Sequence, residues 1–289
     1  LLRLDDVPPA SALGPVDDPR VMDWRDALTR LERTRPGSGL VPVLDSLPAG
    51  STVLLVSPDV GDGDRWQAPW TSLVVRRTTE WADALERMAA LDADWLFPGH
   101  GYVVHGREAV RAVLTDTARY LRVIVEQVLA RMNAGETPEV IFHAVEPDPV
   151  LATRPYLRAR YDHPKFIVRN LLRLWGGWWD GNAANLLPAT WEAQAREIAA
   201  LAGGVEAVVA RGRRLLEAGD LALAAHLAEW ATRAAPEGIE AQRLKRDVYA
   251  RRLEEAEAVM AQGIFRAAMN DARAALGEAP QRPAGPVGR

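Results

Sequence analysis

Few residues of this chain are of a type and spacing that could do chemistry, and the most suggestive is His100. It lies in Pro98-Gly99-His100-Gly101, directly after the apolar run Trp95-Leu96-Phe97. An amphipathic stretch from Glu80 to Leu91 leads through Asp92-Ala93-Asp94 into that run, an order that reads as helix, turn, buried strand and strand end. In an α/β layer, side chains at the carboxyl end of a strand leave the packed sheet and face a crevice, where ligands and metals sit. The flanking glycines let the backbone turn sharply and approach a ligand, and a neutral imidazole there is a good zinc ligand. A polar histidine in a surface turn fits the same tetrapeptide equally well. No two of the five histidines are separated by a single residue. His105 reads as a turn or strand-surface residue, His143 and His163 as polar residues of a helical connector, and His226 as a packed or half-exposed core residue. Asp59, Asp62 and Asp64 offer carboxylate oxygens in a loop dense in Gly, Asp and Pro. One imidazole with loop carboxylates is nevertheless a poor donor set for a zinc pair.

The elements that must position these residues fall into two styles. Up to His105 the pattern alternates: a helical face at Val21, Trp24, Leu28 and Leu31, a possible strand at Leu40 to Leu44, and a fully apolar strand at Thr52 to Val56. A further strand is possible at Ser72 to Val75. From about Glu108 the strands cease. A long helical pattern runs to Asn133, and Thr137-Pro138-Glu139 starts a short helix with Thr137 as cap and Pro138 at the first helical position. Helical patterns follow at Lys165 to about Trp175, then at roughly 190–202, 204–218, 220–234, 237–261 and 263–276. Small residues at Ala222, Ala224 and Ala225 and the breaks at Gly219-Asp220 and Pro236 are the grammar of stacked helical hairpins of the tetratricopeptide kind, without a strict repeat. The tryptophans at 175, 178, 179 and 191 surround the Gly176-Gly177 break and read as anchors of a turn between helical layers, at or near a dimer contact, in preference to a substrate-binding wall.

Composition narrows the function classes. At 289 residues the chain has room for one large or two ordinary domains, and 48% apolar with 26% charged residues is ordinary globular material. A net charge of −4 argues against nucleic acid held by bulk electrostatics. Without cysteine there is no disulfide framework, thiolate metal site or cysteine nucleophile. No apolar run approaches the roughly 18 residues of a membrane span, and the start has no signal-peptide shape, so cytoplasm is the default expectation.

Several blocks then occur in one order. They are LFPGHGYVVHGREAV (Leu96 to Val110), MNAGETPEVI (Met132 to Ile141), RPYLRARYD (Arg154 to Asp162), GGWWDGN (Gly176 to Asn182), LAGG (Leu201 to Gly204) and AGDLALAAHLAEWA (Ala218 to Ala231). Together, over roughly Ser72 to Met269, they resemble the alkyl sulfatase branch of the metallo-β-lactamase superfamily. The resemblance implies an α+β chain. An incomplete metallo-β-lactamase-like αββα portion (1–118) is followed by an all-α helical-hairpin dimerisation domain (119–276) and a disordered tail (277–289). It also implies hydrolysis of a primary alkyl sulfate ester by water activated on two zinc ions, whose bound water has its pKa lowered toward about 7. His100 occupies the place of a zinc-ligating histidine. Arg77, four residues before Trp81 and beside Arg76, occupies that of an arginine holding the sulfate, for which a planar guanidinium fork is well suited. A solvent-facing arginine at a strand end fits Arg77 as well.

The departure from the family is as informative. The H-x-H-x-D-H block that gathers the first zinc is absent, and no histidine precedes His100. The chain also opens on Leu1. Three readings follow: the carboxyl-terminal part of a zinc hydrolase whose site is completed by an upstream segment; a catalytically inactive dimerisation scaffold derived from the family; or a generic helical-repeat interaction protein. The helical half is expected to form a two-fold homodimer.

Overall fold

The computed structural model describes residues 2–3, 52–56, 78–98 and 103–282. The helical face at 21–31, the possible strands at 40–44 and 72–75, the aspartates at 59, 62 and 64, Arg77 and His100 lie outside the described residues. Two compact units are formed, one from Leu1–Glu126 with Pro147–Leu157, the other from Gln127–Glu146 with Arg158–Arg289.

Among the described residues the first unit holds four strands of one sheet, in the order β1 (Leu2–Arg3), β2 (Thr52–Val56), β3 (Trp95–Pro98), β4 (Val104–His105). β1 is antiparallel to β2, β2 parallel to β3, and β3 antiparallel to β4. A parallel pair needs a crossover connection, and α1 (Thr78–Ala89) lies within it. α1 buries Ala82, Leu85 and Ala89, a spacing that sets them on one face. Asp92 ends this region with φ 54°, a left-handed conformation that aspartate tolerates better than most residues. α2 (Arg107–Asn133) then buries Val110, Leu114, Leu121 and Ile124. Its charged face is tied back: Arg107 Nε donates to Asp94 at 2.7 Å, and Arg122 pairs with Asp83 and Glu86 of α1, each at 2.6 Å. Arg122 holds the Glu86 carboxyl below its ordinary range, chiefly through that hydrogen bond.

The described residues of the second unit are all helix and connection. α3 (Pro138–Ala144) starts with Thr137 accepting from Val140 N–H and Pro138 at its first position. α4 (Pro164–Gly176) is capped by His163, whose Nδ1 accepts from Lys165 N–H at 3.2 Å. There follow α5 (Trp191–Ala202), α6 (Val205–Glu217), α7 (Leu221–Ala234), α8 (Ile239–Glu255) and α9 (Val259–Ala275). α5, α6, α7 and α8 close on a common core of Ala199, Val208, Ala224, Ala228, Leu244 and Val248. Alanine on α7 and Gly212 on α6 keep these backbones close: a Cβ added at Gly212 would stand 2.5 Å from Leu244 Cδ2.

One boundary differs from the sequence expectation of a helix over 237–261. The helix stops at Glu255 and a new one starts at Val259. The first N–H groups of that new helix are taken up elsewhere in the unit, Val259 N–H by the Arg160 carbonyl at 2.9 Å and Met260 N–H by that of Tyr161 at 3.2 Å. Orphan donors at a helix start need such partners, and these lie far along the chain.

Candidate functional site

The strand that leads to His100 is present where the sequence puts it. Trp95–Pro98 forms β3, with Leu96 and Phe97 buried. In the parallel ladder, Val56 stands opposite Pro98, so β2 and β3 reach their carboxyl ends together. Both strands therefore end at the same edge of the sheet, at Val56 and Pro98. Behind this edge, the His105 ring stacks on Trp95 at 3.9 Å between centroids, and Gly106 N–H donates to the Asp94 carbonyl at 2.8 Å. His105 is thus an exposed strand residue lying on an aromatic ring, as expected of a strand surface.

The remaining histidines are dispersed. His143 is exposed, 3.6 Å from Glu139 and edge-on to Phe142. His163 serves as a helix cap, and packing around its ring, with the nearby Lys165 charge, pushes its pKa below the ordinary value. His226 faces solvent on α7, 6.1 Å from the Trp230 ring, and not the core, because Ala224, Ala225 and Ala228 take the packed side of that helix. Among the described residues no three His, Asp or Glu side chains come together to hold a metal, so the described donors alone do not build a zinc pair.

Two other features of the helical unit stand out. A half-open hollow of about 500 Å³ is walled by Phe142, Phe166 and Phe265, with Arg252 4.5 Å over the last ring. Elsewhere, the connection between α4 and α5 displays apolar side chains on its outside. Trp178 is 79% exposed, Leu187 92% and Trp191 66%. The tryptophans of this turn thus stand largely exposed. The turn is also tied by Asp180, its Oδ1 accepting from Asn182 N–H at 2.9 Å and its Oδ2 from Asn185 Nδ2 at 2.5 Å. These hydrogen bonds, the Asn185 one foremost, hold the Asp180 carboxyl below its ordinary range. Leu186 and Leu187 were not singled out by the sequence reading. An apolar pair between Asn185 and Pro188, outside any helical period, was the signal.

The described residues thus form a small sheet unit and a separate domain of packed helices whose α4–α5 connection exposes apolar side chains. The comparisons make this specific. Residues 137–275 match the family model for alkyl sulfatase dimerisation. A linear primary-alkylsulfatase from a Pseudomonas species is 34% identical over 172 residues, 59% of this chain and 32% of that protein. An (R)-specific secondary-alkylsulfatase from Pseudomonas is 31% identical over 180 residues, 60% of this chain and 27% of that protein. The solved structure of the stereoselective inverting sec-alkylsulfatase Pisa1 from Pseudomonas superposes with a TM-score of 0.64 at 25% identity, covering 68% of this chain and 32% of Pisa1. The chain carries an alkyl sulfatase dimerisation domain at 137–275 and is similar to alkyl sulfatases, of whose length it spans about a third.

Proposed function

We propose that the chain serves a zinc-dependent alkyl sulfatase-type hydrolase, contributing its pairing domain and one edge of its metal pocket. In this reading 119–276 joins two copies into a homodimer, and 1–118 is a metallo-β-lactamase-like portion. His100 ligates one zinc of a pair, and Arg77 holds the sulfate of an alkyl ester. The observation that carries the reading is the dimerisation match over 137–275, which lies downstream of a strand end of the kind expected to lead into such a pocket. The scarcity of donors favours a second reading, a catalytically inactive dimerisation scaffold: no histidine precedes His100, and the described donors do not cluster.

Metal analysis with a sulfate-release assay on dodecyl sulfate tests both. The isolated chain is expected to bind at most one zinc weakly, through His100, and to release no sulfate. Stoichiometric binding of two zinc ions with sulfate release overturns this ligand inventory. The genomic sequence upstream of Leu1 then separates the readings: an in-frame H-x-H-x-D-H block supports the hydrolase, and a start codon immediately before Leu1 supports the scaffold.

A further inference from the structure

We infer that the outward face of the α4–α5 connection, residues 174–191, is the surface on which a second copy of this chain docks. The inference rests on the pairing role proposed above and names the surface that performs it.

Composition comes first. From Leu174 to Trp191 the sequence LWGGWWDGNAANLLPATW contains one charged side chain, Asp180, in a chain that is 26% charged. That charge is exposed but engaged within its own loop, accepting hydrogen bonds from Asn182 and Asn185. What remains on the outside is tryptophan and leucine, and depletion of charge with enrichment of Trp marks the core of a protein interface.

The second argument is area. The exposed parts of Leu174, Trp175, Trp178, Trp179, Leu186, Leu187 and Trp191 present roughly 900 Å² between them, taking about 150–250 Å² for each whole aromatic side chain. A stable interface buries about 800 Å² per partner. In an isologous pair the same surface is used by both copies, so a single patch of this size suffices.

The third argument is presentation. Gly181 adopts φ 87°, and the loop there sits on the start of α3, with its Cβ position 3.6 Å from Pro138 Cδ and Thr137 Cγ2. Arg233 lies 4.7 Å over the Trp191 ring and fixes its tilt. The apolar groups are thus held out by hydrogen bonds and packing on their inner side, which lowers the ordering cost of association. The matched dimerisation segment, 137–275, contains the whole of this connection.

Sedimentation equilibrium on the full chain tests the inference with Leu187→Glu, Trp178→Gln and, as a control, Ile264→Glu. Leu187 and Ile264 are both exposed apolar residues, and only the first is in the patch. The native chain is expected to be dimeric at about 10 μM, in line with a Kd well below that for an interface of this class. Leu187→Glu should raise Kd at least 100-fold and Trp178→Gln at least 10-fold, with helical circular dichroism unchanged, while Ile264→Glu leaves Kd within 3-fold. A native dimer indifferent to both patch variants, or weakened equally by Ile264→Glu, overturns the assignment of the surface and leaves the pairing role standing. A native chain that stays monomeric at 100 μM overturns the pairing role itself.

Discussion

Gly212 offers the sharpest test of how the helical unit is packed. It sits inside α6, where glycine costs a helix about 1 kcal/mol relative to alanine. On propensity alone, Gly212→Ala should stabilise the protein by about that amount. The structure predicts the opposite sign. The new Cβ would lie 2.5 Å from Leu244 Cδ2, 3.4 Å from Leu244 Cδ1 and 3.5 Å from Leu227 Cβ. Leu244 is wholly buried, so its methyl groups have no solvent to retreat into. Restoring a carbon contact of about 3.5–4.0 Å requires a shift of about 1 Å in a close-packed core. Overpacking of this kind costs about 1–3 kcal/mol, leaving a net destabilisation of about 1 kcal/mol once the propensity gain is set against it.

Leu244→Ala removes the obstructing methyl groups and by itself should cost about 3 kcal/mol. In that background the same Gly212→Ala substitution is unopposed and should recover about 1 kcal/mol. The two changes are therefore coupled by about 2 kcal/mol, well above the few tenths expected of independent sites. Urea denaturation followed by far-ultraviolet circular dichroism measures all four corners of the cycle. Protein concentration must be held fixed, because association contributes to apparent stability. A Gly212→Ala variant more stable than the native chain, or additivity within about 0.3 kcal/mol, would refute the close-approach argument.

Three further outcomes are expected from polar groups of the same unit. Glu229 accepts from the Tyr249 hydroxyl at 2.9 Å and pairs with Lys245 at 3.2 Å and Arg233 at 3.3 Å, so Glu229→Ala should cost about 2 kcal/mol by denaturation, and Glu229→Gln less. Burial, and after it the Glu229 charge, raises the Tyr249 phenol, so Glu229→Ala should lower that titration only in part. His163 has its pKa lowered in the fold, where its neutral Nδ1 caps α4, so the unfolded chain binds the proton more readily. Its contribution is fully present above the unfolded histidine value of about 6.5 and is lost as pH falls from there toward the folded value. His163→Asn keeps a capping acceptor without the titration and should flatten this acid limb of the stability profile; an unchanged limb would show that other groups produce it.

What the sequence discloses here depends on how local the controlling interaction is. Thr137-Pro138 starts α3 and Thr190 caps α5 through hydrogen bonds that span three residues, and both starts are legible from residue type. The α2 stripe is equally plain, because its buried positions recur at helical spacing over many turns. The break at 256–258 is not legible, since Leu253 to Met260 is continuous good helix former; what ends α8 there is the supply of the Arg160 and Tyr161 carbonyls to the next helix. The tryptophans of the α4–α5 connection are legible as a cluster, and their exposure is not, because residue type signals apolar contact and not its direction. The loop carrying them is closed by hydrogen bonds to Asp180 and Asn182, and its indoles and leucines stand exposed. The same distinction governs the metal proposal. A strand ending at Pro98 is a local property, and the sheet register supports it. A zinc pair is a non-local one, needing donors from several segments in one place. A histidine between two glycines can mark where such a pocket opens, and it cannot by itself specify the other wall.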